Sequence, residues 1–429
     1  MFQRRENRGN PNGSSNGSRS FSESRGGGFQ RDGGGGGRRP SFGRGGQRPR
    51  MNKSPRLGGT SININQLINK VQEESTAVEA GHPIKHKFED FAFDERLKRT
   101  ISKKGYVIPT PIQDQSIPHL LEGRDVIGLA NTGTGKTAAF LLPIIDKVLK
   151  DRTQKAIILA PTRELATQIQ DELRSFTQGM NLYSVLCIGG TNIHQQSRQI
   201  RMPFNFLIGT PGRVIDLYQR KLLHLDRFQN VVLDEADRMV DMGFINDMKL
   251  VFAQLPKDRQ TFFFTATFDK QVEGLVQQFL TNPVKVSVIQ RQTSSNIEQD
   301  IIRVSDNSKK LPALVELLNK PEFERVLVFG RTKFGVEKIS KSLLMHGFKA
   351  DSIHGNKSQN YRQRALQSFK AGHIRVLIAT DVAARGLDIN NVSHVINFDL
   401  PANYEDYVHR IGRTGRADKK GIALSLIAA

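Results

Sequence analysis

A single cysteine in 429 residues, Cys187 in the run YSVLCIGG, has no second thiol to pair with. That excludes an intramolecular disulfide framework and any zinc site built from several thiolates, and it suits a reducing compartment. Acidic residues are also scarce. Against 63 Lys plus Arg there are 42 Asp plus Glu, for a formal net charge of +21 and a pI near 10.1. This excess points to a polyanionic partner, nucleic acid above all; the plainer alternative is a basic surface that aids solubility. No uninterrupted apolar run approaches the roughly 20 residues needed to span a bilayer, and the N-terminus is polar and Arg-rich. The chain therefore reads as soluble and cytoplasmic, without a membrane partner.

What is abundant changes along the chain. The first 60 residues hold 16 Gly, 13 Lys plus Arg and only 3 Asp plus Glu, close to half of the total charge. Segments such as ESRGGGFQRDGGGGGRRPSFGRGGQRPR cannot bury enough apolar surface to offset chain entropy, so residues 1–80 are expected to form a disordered basic tail. Arg beside Gly, with Phe21, Phe29 and Phe42 interspersed, suits loose RNA contact; a solubilising leader is the alternative. From about residue 85, apolar runs alternate with amphipathic stretches, the pattern of an α/β fold with parallel sheets and crossover helices. DVIGLA (125–130), AIILA (156–160), FNFLIG (204–209), NVVLD (230–234) and TFFFTA (261–266) read as strands, and LATQIQDELRSF as a helix. The polar stretch 289–300 reads as a linker between a domain at 85–288 and a smaller one at 301–429. In the second domain RVLVFG, IRVLIA, HVINF and IALSLI continue the strand pattern.

Two short stretches carry the chemistry. ANTGTGKT (130–137) follows a strand and opens an amphipathic run, the setting of a phosphate-binding loop. Asn131, Thr132, Gly133, Thr134 and Gly135 would let backbone N–H groups converge on phosphate oxygens. Lys136 would reach the β/γ-phosphates and Thr137 would ligate Mg²⁺. Ala130 stands where the pattern has its first Gly. In VVLDEADRMV (231–240) a buried strand ends in Asp234, Glu235 and Asp237. So much negative charge at the rim of a core needs a cation. Asp234 is placed to complete the Mg²⁺ shell, Glu235 to orient and deprotonate an attacking water, and Asp237 to hold neighbouring groups.

ANTGTGKT, PTREL (161–165), TPGR (210–213), DEAD (234–237), TAT (265–267), ATDVAARGLDI (379–389) and HRIGRTGR (409–416) occur in this order. Together they resemble the DEAD-box family of ATP-dependent RNA helicases, over about residues 85 to 429. The resemblance implies two RecA-like domains with ATP and Mg²⁺ in the cleft and RNA, single-stranded or duplex, held across both without sequence reading. GYVIPTPIQ (105–113) matches the family's adenine-reading motif: Gln113 would pair with the base and Phe88 would stack on it. Asp388 matches the ribose-binding residue. Arg413 and Arg416 resemble arginine fingers, which typically add about 10³- to 10⁵-fold in rate. Thr265 and Thr267, in a TAT that departs from the usual SAT, would with Asp237 couple hydrolysis to unwinding. Arg163, Gly190, Thr210 and Arg213 would face RNA from the first domain, and Gln359, Arg362 and Thr380 from the second. The family's second domain usually continues past the point where this chain stops at Ala429, so either the sequence is truncated or one sheet face is thinly covered. A monomer is expected, with ribonucleoprotein or ribosome-assembly partners. An ATP-gated RNA clamp with little unwinding is the main alternative; DNA translocation and simple RNA binding are weaker ones.

Overall fold

The computed structural model describes residues 83–131, 133–288, 297–384, 392–415 and 420–428. The tail expected at 1–80, Thr132, most of the expected linker, Asp388 and Arg416 lie outside them. Two parallel sheets, within one compact unit, organise the described residues.

The first lobe contains α1 (Glu95–Lys103), α2 (Pro111–Leu121), β1 (Val126–Leu129), α3 (Lys136–Lys150), β2 (Ala156–Leu159), α4 (Arg163–Phe176) and β3 (Ser184–Cys187). It continues with α5 (Ile193–Arg201), β4 (Phe206–Gly209), α6 (Pro211–Gln219), β5 (Asn230–Leu233), α7 (Ala236–Asp241), α8 (Ile245–Gln254), β6 (Gln260–Thr265), α9 (Lys270–Phe279) and β7 (Val284–Ser287). Its strand order is β3-β4-β2-β5-β6-β1-β7. The second lobe contains β8 (Ile297–Val304), α10 (Lys310–Leu318), β9 (Val326–Phe329), α11 (Lys333–Met345), β10 (Ala350–Ile353), α12 (Gln359–Lys370), β11 (Val376–Ala379), α13 (Asp381–Ala384), β12 (His394–Asn397), α14 (Tyr404–Ile411) and β13 (Gly421–Ala428). Its order is β10-β11-β9-β12-β13-β8.

Successive strand residues face opposite sides of a sheet, so a parallel sheet covered on both faces needs apolar residues at every position. β6 shows this: Phe262 and Phe264 enter one apolar cluster and Phe263 the other. In the second lobe Leu327 and Phe329 pack on one side, and Val326 and Val328 on the other. Among the described residues no helix is long and apolar enough to cross a membrane.

The strand runs read from sequence are all strands here. The four strands that continuous apolar runs did not mark as such, β3, β7, β8 and β10, are the edges of the two sheets. One correction concerns the linker: residues 297–300 are not linker but the start of β8, where Ile297 pairs with Gly421. Three consecutive polar residues, Glu298, Gln299 and Asp300, follow Ile297 in that edge strand, so it resembles a connection when read alone.

Candidate functional site

Parallel strands send all their C-terminal ends to one rim, and that rim carries the site. At the end of β1 the chain turns through Gly133 (φ +84°) and Gly135 (φ +92°), left-handed conformations natural to glycine. A Cβ on Gly135 would lie 2.5 Å from Gln113 Nε2. That amide braces the loop: Nε2 donates to Gly135 O at 3.0 Å, and Oε1 accepts from Thr110 N at 2.9 Å. One N–H and one lone pair of Gln113 remain for a base edge. Thr134 Oγ1 closes the turn on Asn131 O at 2.8 Å. No side chain caps α3, so its first N–H groups and positive dipole end face the loop. Lys136 is buried, and its Nζ has no hydrogen-bond partner among the described residues.

Asp234 continues the ladder beyond β5, its N–H donating to Leu159 O at 3.0 Å. It is buried, and its Oδ1 has no hydrogen-bond partner among the described residues. Burial, reinforced by the charges of Glu235 and Asp237 and opposed by Lys136, raises its pKa to about 6. Glu235 follows in a left-handed conformation (φ +54°) that ordinary side chains rarely adopt, and Arg238 Nη1 donates to its Oε2 at 2.7 Å. Asp237 is saturated. Its Oδ2 accepts from Ala266 N (3.1 Å), Thr267 N (2.9 Å) and Thr267 Oγ1 (3.1 Å), and its Oδ1 from Arg238 N (2.9 Å). Burial alone would raise this carboxyl; Lys136, Arg238 and the donated N–H groups bring it below the usual range instead. Thr267 is thus the closer partner of Asp237. Thr265 Oγ1 meets Asp237 N only at 3.4 Å and donates to Thr267 O at 2.8 Å.

A cavity of about 230 Å³ joins the lobes here, lined by Lys136, Glu235 and Thr267 from one side and His409, Gly412 and Thr414 from the other. Arg413 does not line it. That side chain is buried against a recess of the second lobe shared with Asp381 and Arg410. Arg410 is a structural clamp, bonding Asp381 at 2.5 and 2.8 Å, Asn397 Oδ1 at 3.0 Å and Asp399 O at 2.6 Å. Phe88 is buried in T-shaped contact with Phe91 and Tyr106, with centroids 5.9 and 5.5 Å apart, and with Tyr106 it lines a separate recess of about 300 Å³. Thr137 is half-buried one residue into α3.

The residues expected on RNA also lie at strand ends. Arg163 begins α4, Thr210 precedes α6, and a Cβ on Gly190 (φ +74°) would collide with the Arg163 guanidinium. Burial lowers the Arg163 pKa, and nearby Arg362 and Arg213 lower it further against the pull of Glu164. Arg213 Nη1 donates to Gln196 Oε1 at 3.1 Å. The three guanidiniums outnumber the two carboxylates paired with them, Glu164 and Asp216, so this face keeps a net positive charge. Thr380, nearly buried, opens α13. Gln359 and Arg362 are engaged within the protein: both donate to Glu164 Oε1, from Nε2 at 2.9 Å and Nη2 at 3.0 Å. Glu164 is a functional candidate that sequence reasoning passed over. In PTREL it reads as an acid favouring a helix N-terminus, and nothing local signals a partner 195 residues away.

Two parallel α/β lobes, a phosphate loop on the first and a basic rim shared by both define a two-lobed P-loop nucleotide-binding protein. The chain belongs to the DEAD/DEAH box helicase family: that family model matches residues 110–275, and the helicase conserved C-terminal domain matches 309–418. It is similar to the ATP-dependent RNA helicase CshA of Listeria monocytogenes, 43% identical over 343 residues, covering 80% of this chain and 66% of that protein. The CshA of Bacillus cereus is 43% identical over 342 residues, covering 79% and 65%. The chain thus spans a little under two thirds of these relatives' length. Among solved structures, Saccharomyces cerevisiae Dbp5 bound to RNA and ADP BeF3 superposes with a TM-score of 0.72 at 32% identity, covering 80% of this chain and 89% of that one.

Proposed function

We propose that the chain is an ATP-dependent RNA helicase that hydrolyses ATP with Mg²⁺ in the inter-lobe cavity and locally remodels RNA held on the basic rim. One observation carries this reading. Lys136 Nζ and Asp234 Oδ1, a buried cation and a buried carboxylate oxygen on which that cation acts, have no hydrogen-bond partner among the described residues. Burial without partners is costly, and a phosphate for the lysine with a divalent cation for the carboxylate resolves both. The donor set therefore fits ATP and Mg²⁺. The N–H groups of residues 131–137 and Lys136 would hold the β- and γ-phosphates, and Thr137 and Asp234 would hold the metal. When bound, Mg²⁺ supplies charge neutralisation on the phosphate oxygens. Arg238 fixes Glu235 Oε2, which aims Oε1 to orient a water and accept its proton. Asp237 and Thr267 tie that segment to the end of β6, a route by which nucleotide state reaches the rim. Arg163, Thr210 and Arg213, with Gln359, Arg362 and Thr380, take phosphates and sugars, as the relatives' names and the RNA-bound Dbp5 fold support.

The same reading makes the protein a cytoplasmic monomer acting on ribonucleoprotein or ribosome-assembly RNA. A buried thiol at Cys187, raised to about 12 by burial, suits a reducing cytoplasm. The experiment is ATP hydrolysis with single-stranded RNA, matching DNA, or neither, beside Glu235→Gln. Stimulation by RNA alone, lost in the variant, is expected; turnover indifferent to RNA refutes the reading. Strand separation on short duplexes then distinguishes a helicase from a clamp.

A further inference from the structure

The second lobe carries one large apolar side chain that its packing does not use. Phe334 is 83% exposed, the most of any large hydrophobic side chain among the described residues. Its surroundings are well defined. Beyond β9, Gly330 N donates to Ala379 O at 3.0 Å, which sets this loop beside the one that carries Thr380. Arg331 N donates to Asp399 Oδ2 at 2.9 Å. Thr332 caps α11, its Oγ1 accepting from Gly335 N at 3.0 Å, so Phe334 sits in a fixed first turn. The stem of Lys333 crosses Gly355, and its Nζ donates to Asn356 Oδ1 at 3.2 Å, in the loop that leads to Gln359 and Arg362. The ring therefore stands on the rim of three adjacent strands, β10, β11 and β9, two of which end in residues assigned to RNA.

Charge on this rim favours a polyanion. Arg331, Lys333 and Lys338 are exposed. Two carboxylates border this loop: Asp399, which accepts from Arg331 N, and Glu337, which is engaged by Ser352 Oγ (2.8 Å), His354 Nε2 (3.2 Å) and Lys357 Nζ (3.0 Å), contacts that hold its pKa down to about 2. A lone aromatic among cations is the combination that binds single-stranded nucleic acid, the cations taking phosphates and the ring a base.

We infer that Phe334 is a stacking platform for one unpaired base of bound RNA, at the edge of the strand-end rim that carries Gln359, Arg362 and Thr380. This rests on the RNA-binding reading above. Stacking needs a base free of its own neighbours, so the contact favours a separated strand over an intact duplex. It is indifferent to base identity, because every base has a π-face.

The test uses the whole chain with Phe334→Ala and Phe334→Trp, and the high exposure of the ring leaves packing undisturbed in either. Binding of a single strand of about 10 nucleotides is measured by fluorescence anisotropy with a non-hydrolysable ATP analogue, moving one abasic site along the RNA. Phe334→Ala is expected to weaken binding about tenfold and Phe334→Trp to preserve it. One abasic position should weaken the wild type by a similar factor and leave the alanine variant unaffected. Unchanged affinity in Phe334→Ala, or no abasic position that distinguishes the two proteins, overturns the inference while RNA binding stands. Failure of the wild type to bind RNA overturns the underlying reading instead.

Discussion

Glu164→Ala removes the carboxylate that both lobes share. Its Oε1 accepts from Gln359 Nε2 at 2.9 Å and Arg362 Nη2 at 3.0 Å, with side-chain exposures of 5% for Glu164 and 11% for Arg362. A hydrogen bond to a charged group contributes about 1.5–3 kcal/mol net, so the two together contribute about 3 kcal/mol to the joined arrangement. That is roughly a hundredfold in the equilibrium between joined and separated lobes. The alanine variant also leaves the Arg362 guanidinium without its counter-charge, and about 3–5 kcal/mol is the ceiling for breaking a buried pair from one side. Each lobe keeps its own apolar clusters, so the loss belongs to lobe association and not to the folding of either. The only native thiol is buried, which lets cysteines introduced at the exposed Lys249 and Gln367 carry a donor and an acceptor dye. Energy transfer is then followed during titration with RNA and a non-hydrolysable ATP analogue. Glu164→Ala should need about a hundredfold more ligand to close, and Glu164→Gln, which keeps an acceptor but no charge, should fall between. Closure indistinguishable from wild type in both variants refutes the reasoning.

Three further outcomes follow from the site. Asp234, raised to about 6, holds a proton in the folded chain that the unfolded chain has released between about pH 4 and 6; raising pH through that window therefore costs stability, while Mg²⁺ binding, which needs the carboxylate, strengthens. Thermal melts with and without Mg–ATP should show stabilisation by the ligand growing from about pH 5 to 7, and a constant increment would count against Asp234 as the metal ligand. Gly135→Ala puts a Cβ 2.5 Å from Gln113 Nε2 at φ +92°, so nucleotide affinity by calorimetry should fall at least tenfold with an unchanged circular dichroism spectrum; full affinity would show that the brace is dispensable. Thr267→Val deletes the 3.1 Å bond to Asp237 but keeps both backbone donors, so it should cost about 1 kcal/mol and lower the melting temperature by a few degrees, and an unshifted melt would deny that contact.

The central strands were readable because they are buried on both faces: β1, β2, β4, β5, β9, β11 and β12 are buried at every residue, as continuous apolar runs require. The edges were not. β7 and β8 alternate buried with exposed residues, because a strand with one neighbour, or only partial cover, has less to bury. Motif residues show the same division. The phosphate loop and the acids after β5 announced themselves because their chemistry is local: a turn of small residues, a helix start, a strand end.

Roles that depend on partners far along the chain were a different matter. Gln113 carried the expectation of reading a base, and packing also made it the brace of Gly135, 22 residues on. Arg413 looked like a cleft residue, yet a recess with Asp381 and Arg410 takes it instead. Glu164 drew no reading from the sequence, and its two donors come from the second lobe. Periodicity, loop composition and charge at a strand end are properties of neighbours in sequence, so the chain alone determined two parallel-sheet lobes, a phosphate site and a basic binding face. Which side chains meet across the lobes depends on contacts between residues far apart in sequence, whose closure entropy is offset only once both cores have formed, and this the tertiary structure decided.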